Sequence, residues 1–253
     1  MGMFFPDDDT YNNGLRQTGF NRYKQLLSER SGGWLKMNLI TCIGAAPLVF
    51  LISVSVAATS VLLLIPLSFT GGMIFGPFMS CLFDSILRGL RDDPDSWWEE
   101  YKRGWRQNWR TSLIPGGFFG LLAGFYTFMG FMMYWRTAPL SRSVIVMYFL
   151  SAFVVLSVHT VLWSLLVLFD QTPKNRIINI VSYIGGHLWK VVRSTLFQLI
   201  FIVLAVLFAP WSLFLIPFLG WYVRFVTLFI IYDSFDEFFS IEEQINAGNR
   251  NAE

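Results

Sequence analysis

The sequence predicts an all-α protein: a polytopic transmembrane helical bundle of about six spans, with amphipathic helices along the inner membrane surface. Three observations predict it. Charged residues make up 14% of the 253 residues and hydrophobic ones 54%, where soluble domains carry about 25% charged residues. The apolar residues gather in runs close to the roughly 20 residues that a helix needs to cross the hydrocarbon core. The charges fall mainly between those runs, so their placement says more than the formal net charge of +2, which is too small to point to nucleic acid.

In chain order, residues 1–19 read as a mobile tail. Acidic Asp7, Asp8 and Asp9 lie near its start and the first long apolar run begins only near Trp34, so no secretory signal peptide is expected. Residues 20–239 read as a single membrane domain and residues 240–253 as a cytoplasmic tail. The expected spans are 37–57, 60–83, 113–134, 144–169, 195–211 and 213–232. The first two are joined almost without a break, with a turn near Thr59. Pro210 and Pro217 mark either a tight turn between the last two spans or a kink, so six spans and five are both open.

Lysine and arginine set the orientation. One side holds Arg16, Arg22, Lys24, Arg30 and Lys36, then Arg88, Arg91, Lys102, Arg103, Arg106 and Arg110, then Lys174, Arg176, Lys190 and Arg193. The other holds only Arg136 and Arg142. Both termini are therefore expected in the cytoplasm. The opposite connections are short and leave little room for an external catalytic domain.

Residues 95–110, DSWWEEYKRGWRQNWR, are too polar for a span and too aromatic for an ordinary loop. Trp97, Tyr101, Trp105 and Trp109 recur every fourth residue, with Lys102, Arg106 and Arg110 on the neighbouring stripe. Ser96 and Glu99 fit a capping box, and Asp92, Asp93 and Pro94 give a turn before it. The expectation is an in-plane helix over 96–110, or one packed under the bundle with a solvated basic edge. Tryptophan favours the headgroup region, and a basic side chain near anionic lipid is worth about 1 kcal/mol. Trp98, Trp105, Arg106 and Arg110 are the candidate docking residues for lipid headgroups or a partner.

Similar grammar occurs three times. Trp34, Trp109 and Trp189 each stand close to a basic residue just before an apolar run, and segments 20–30, 96–110 and 177–188 are the accompanying candidate in-plane helices. The spacing suggests a threefold unit of inner helix plus hairpin.

Ionisable groups inside spans are the best pointers to chemistry, since each costs about 2.5–3.5 kcal/mol at the centre on insertion scales. Arg224 lies midway along the last span, with Asp84, Asp170 and Asp233 as candidate partners. It reads as an anchor for an anionic substrate or headgroup, or as half of an internal ion pair. His159 reads as a hydrogen-bonded interhelical contact more readily than as a proton relay. Arg224, His159 and Asp84 form the candidate intramembrane polar site. Gly71, Gly72, Gly76 and Pro77 punctuate the second span and Pro115, Gly116, Gly117, Gly120, Gly124 and Gly130 the third, which favours close helix packing. Two histidines and two isolated cysteines, Cys42 and Cys81, supply no metal site or disulfide framework. No Walker A, GxSxG or HExxH pattern occurs, so neither catalysis nor a cofactor is expected.

Residues 76–116, GPFMSCLFDSILRGLRDDPDSWWEEYKRGWRQNWRTSLIPG, resemble the bacterial YesL-like membrane proteins, a domain-of-unknown-function family. Gly76, Pro77, Arg88, Trp98, Arg106, Asn108 and Ser112 occupy places corresponding to that family's pattern, and MNLI at 37–40 is similar to its first span. The longer apolar stretch before Gly76 and the tryptophan-rich inner helix depart from it. The resemblance implies a bacterial cytoplasmic membrane protein with an accessory role, associated with carbohydrate ABC-transporter genes. It assigns no catalytic residue. The functional expectation is a non-enzymatic accessory or regulatory partner of ABC-transporter permease subunits. The alternative is a small-solute or lipid transporter with its site near Arg224.

Overall fold

The computed structural model describes residues 19–91, 96–135 and 141–241. The expectations for the tail through residue 18, Arg16, the turn at Asp92, Asp93 and Pro94, Arg136, and residues 242–253 lie outside the described residues. Among those described, the regular elements are seven helices: α1 Gly19–Ala57, α2 Val61–Leu90, α3 Trp97–Tyr134, α4 Arg142–Leu168, α5 Pro173–Gly186, α6 Leu188–Leu207 and α7 Trp211–Phe239. All but α5 are long and apolar enough to cross a membrane. Large apolar side chains such as Ile43, Leu62, Val146, Leu207 and Phe214 stand exposed along them, a surface suited to lipid rather than water. The chain is a multi-pass integral membrane protein.

The sixth span is resolved by Pro210. Helix α6 stops at Leu207, and Pro210 stands at the start of α7, while Pro217 is carried inside that helix. The first hairpin turns at Ala58 and Thr59, and the Ser60 hydroxyl accepts from the Leu63 N–H at the start of α2. These two turns mark the hairpin end of the bundle. The start of α1 and the end of α7 mark the terminal end.

The expected in-plane helices differ from what is observed. Segments 20–30 and 96–110 are not separate helices; they are the leading ends of α1 and α3. Helices of 39 and 38 residues are about 57 Å long at 1.5 Å per residue, well beyond the roughly 30 Å core. Tertiary contacts keep these segments in line with their spans. Arg22 is buried and donates to the Gly89 and Leu90 carbonyls, closing the end of α2. Tyr23 and Tyr222 join hydroxyls at 2.7 Å, and Trp34 lies against Gly89. In α3, buried Glu100 pairs with Arg30 at 3.2 Å and accepts from the Ser85 hydroxyl. Only the third unit keeps a break. There Thr172 caps α5 by accepting from Asn175 N–H, Pro173 occupies its first turn, and Gly185 and Gly186 precede the interruption at His187. Helix α5 thus covers residues 173–186 rather than 177–188.

Packing is concentrated at the terminal end. The largest core joins Trp34 and Met37 of α1, Phe83 and Ile86 of α2, Trp163 of α4 and Phe225 of α7. A smaller cluster joins α4 and α5 to the end of α7 and includes Ile241, so the expected C-terminal tail begins with a docked residue. The Tyr183 hydroxyl anchors α5 on α7 through the Ile231 carbonyl at 3.2 Å and Ser234 at 2.8 Å.

Candidate functional site

Arg224 sits halfway along α7, where α6 lies against it. Below that level the two helices are joined by Ser194, which donates to the Thr227 carbonyl at 3.1 Å, and α6 meets α4 through Ser157 and Thr195 at 2.9 Å. Buried Gln198 continues this polar seam. Its carbonyl oxygen accepts from Arg224 Nη1 at 2.7 Å, its amide donates to Thr160 Oγ1 at 2.7 Å, and the Thr160 hydroxyl donates to the Leu156 carbonyl. A guanidinium carries five N–H donors, and among the described residues one of them is engaged, by Gln198. The Phe83 ring lies 5.7 Å from the guanidinium carbon and adds a cation–π contact.

None of the three carboxylates offered as partners reaches Arg224. Asp84 pairs with Arg88 at 3.0 Å on its own helix, and Gly104 of α3 provides the space beside it. Asp170 and Asp233 belong to the terminal ends of their segments. Among the described residues the charge is therefore held by a neutral amide and an aromatic face. The proposed trio separates: Arg224 and His159 share a cavity that Asp84 does not line.

That cavity measures about 680 Å³ and runs between α3, α4 and α6 toward the hairpin end. Arg224, His159 and Trp163 lie along its deep part. His159 is ringed by Phe119 at 4.7 Å, Phe83 at 5.9 Å and Trp163 at 6.0 Å. Its expected interhelical hydrogen bond is absent at Nδ1, because those neighbours present rings rather than polar atoms. Trp163 is 1% exposed, and its indole nitrogen and His159 Nδ1 are both buried without a hydrogen-bond partner among the described residues. A buried donor left unmatched costs about 1–3 kcal/mol. A second cavity of about 510 Å³ lies on the other side of α6, against α1, and Arg224 lines it too.

The four docking candidates also divide. Trp98, Arg106 and Arg110 are exposed at the leading end of α3, whereas Trp105 packs edge-on against Phe78 at 5.1 Å. Arg110 lies over Trp109, and Arg193 over Trp189, at 5.0 and 5.2 Å. No group of acidic, histidine or cysteine side chains among the described residues could hold a metal ion.

Gln198 and Trp163 are the site residues that sequence reasoning missed. A glutamine within an apolar run was a visible signal, since an amide inside a span needs a partner there. The tryptophan gave none, because its orphaned nitrogen is a property of the packing.

No family model, curated protein or solved structure matches the chain.

Proposed function

We propose that this membrane protein binds an anionic ligand, a solute or a lipid headgroup, at Arg224, and acts as a non-enzymatic carrier or receptor for it. The observation that carries this reading is a guanidinium midway along a span whose protein partner is neutral Gln198 and which opens on two cavities. A charge at that depth is costly and is retained where a function uses it. An anion would supply both the missing counter-charge and acceptors for the remaining N–H groups.

Arg224→Met tests it, because methionine keeps much of the length and removes the charge. Removing the charge relieves its desolvation cost, and the Gln198 carbonyl left without its donor offsets that by about 1–3 kcal/mol. The midpoint of thermal unfolding in mild detergent should therefore stay close to that of the wild type. The wild-type midpoint should also rise with at least one of inorganic phosphate, octanoate, hexadecanoate and phosphatidic acid, and that rise should vanish in the variant. An equal rise in both proteins, or none in either, would remove the reading.

A second reading is favoured by the exposed Trp98, Arg106 and Arg110 and by the Trp109–Arg110 contact at the terminal end. Such a surface suits anionic headgroups or a partner, and with the YesL-like resemblance it points to an accessory subunit of a carbohydrate ABC transporter in the bacterial cytoplasmic membrane, its termini inside. Crosslinking in native membranes followed by mass spectrometry should recover permease subunits from the wild type and not from a Trp98→Ala, Arg106→Ala, Arg110→Ala triple variant. Equal recovery from both would count against docking through this face.

A further inference from the structure

We infer that the larger cavity takes a single-chain anionic amphiphile, a long-chain carboxylate, with its head at Arg224 and its tail directed to the hairpin end. This rests on the reading that Arg224 binds an anion, and narrows it. Three features of the cavity choose the ligand.

The first is shape. On α4 the lining residues run from Trp163 and His159 through Leu156 and Ala152 to Tyr148, a rise of about 22 Å at 1.5 Å per residue. On α6 they run from Leu199 through Ile202, Val203 and Val206 to Leu207. The cavity is a slot along the helix axes rather than a chamber. The second is chemistry. Among the described residues the charged group lining the slot is Arg224, at its deep end, with the His159 and Trp163 rings beside it. No acidic residue lines it. Farther along, the Tyr148 hydroxyl donates to the Tyr126 carbonyl at 3.1 Å and the Thr127 hydroxyl to the Ala123 carbonyl at 2.8 Å, and the other lining residues there are apolar or aromatic. The third is size. If a methylene takes roughly the 30 Å³ of a water molecule, about 680 Å³ holds on the order of twenty such groups. That suits one chain with a compact head. A small hydrophilic anion would leave the slot unfilled, and a two-chain lipid would overfill it.

The smaller cavity does not make the same offer. Its polar groups away from Arg224 and Gln198 are engaged with backbone, Asn38 with the Pro217 carbonyl at 2.6 Å and Thr41 with the Met37 carbonyl at 2.9 Å.

The test uses the full chain in lipid nanodiscs and two photoreactive hexadecanoates, one with a diazirine beside the carboxylate and one with it near the terminal methyl. Peptide mapping should place the head-labelled adduct on Phe119, His159 or Trp163. The tail-labelled adduct should fall on residues 126–130 or 202–207. Excess unlabelled hexadecanoate should remove both adducts at least tenfold, while hexadecanol, of the same length and no charge, should remove neither, so the requirement for charge is read without any substitution. Arg224→Met should abolish both adducts. Labelling spread over the lipid-facing surface and unaffected by competitor would overturn the proposal. Competition by hexadecanol equal to that by hexadecanoate would also overturn it, by removing the role of the head. If inorganic phosphate or two-chain phosphatidic acid binds in an Arg224-dependent way and hexadecanoate does not, the single-chain assignment fails and the anion site stands.

Discussion

Two seams of the bundle are built on opposite rules. Between α2 and α3 the backbones touch. A Cβ added at Gly72 would lie 2.7 Å from the Gly120 Cα, one at Gly116 the same distance from the Gly76 Cα, and one at Gly124 2.7 Å from the Ser68 Cβ. Around α6 the contacts end partway up. Its buried residues, Val191, Ser194, Thr195 and Gln198, reach no farther than its middle, and beyond them Leu199, Ile202, Val203 and Val206 face the cavities. Lipid tails are as apolar as leucine, so burial alone does not draw membrane helices together, and close approach depends on small residues or polar links. The α2–α3 seam has small residues along its length. The α6 seam has polar links from Ser194 to Gln198 and then, among the described residues, none until the Ser212 hydroxyl meets the Ala205 carbonyl near the turn, and the proposed ligand site lies in that gap.

The largest effect should come from filling the closed seam. Gly120→Leu places its Cβ against the Ser68 carbonyl and the Gly72 backbone, groups that cannot rotate away. Overpacking commonly costs about 1–3 kcal/mol, and a backbone contact belongs at the top of that range or above it. The variant should lose its single peak in size-exclusion chromatography. Gly130→Leu is the control from the open region, since a Cβ there meets only the Tyr148 hydroxyl at 3.4 Å, and it should stay monodisperse. Equal tolerance of both would mean that the two seams do not differ as described.

Next in size is Glu100→Ala. Glu100 is 3% exposed and holds α3 to α1 through Arg30 and to α2 through Ser85. Removing one partner of a buried pair costs about 3–5 kcal/mol, and the partial exposure of Arg30, 23%, argues for the lower end. The thermal midpoint should fall, while labelling at the Arg224 cavity, in the other half of the bundle, should survive in whatever protein remains folded.

Tyr183→Phe comes third. It removes the hydroxyl joining α5 to Ile231 and Ser234, worth about 1 kcal/mol. Burial pushes this phenol up to about 12 from an ordinary value near 10. The folded state favours its protonated form, so the contribution is full below pH 10 and is lost as pH climbs through 12. Wild-type stability should therefore fall more steeply than that of the variant between pH 10 and 12.

How much of this could be read in advance differs along the same lines. Span number was legible to within one, with five and six both open, and the close packing of the glycine-rich second and third spans was legible, because hydropathy and small-residue spacing are local signals. The Arg224 site was legible at its centre and not at its edges. An arginine in a span is conspicuous, but its partner was sought among carboxylates, whereas Gln198 supplies it through the register of α6 on α7, which one helix alone does not specify. The repeated Trp and basic pattern was legible as a pattern and misleading as a placement. Trp34 is 1% exposed and Trp189 is 63%, because Trp34 meets Gly89 and Phe225 while Trp189 stands exposed beside Arg193.

The smallest effect addresses the leading end of α1, where expectation and structure part most clearly. A surface helix over 20–30 joined to a span from 37 would need a bend, and Gly32 with Gly33 is where the chain would allow one. Instead α1 is continuous through both. Gly33 faces Trp97, its Cβ position 3.0 Å from that side chain, whereas Gly32 has nothing within 4 Å. Gly32→Ala therefore adds no collision and removes unfolded-chain freedom, which should stabilise the protein by about 0.5–1 kcal/mol. A small rise in thermal midpoint would support a straight α1 that carries Arg22 and Tyr23 to α2 and α7 as one rigid rod. A fall would mean that residue 32 needs a conformation alanine resists, and the leading segment would then be hinged, as the α5–α6 unit is at His187.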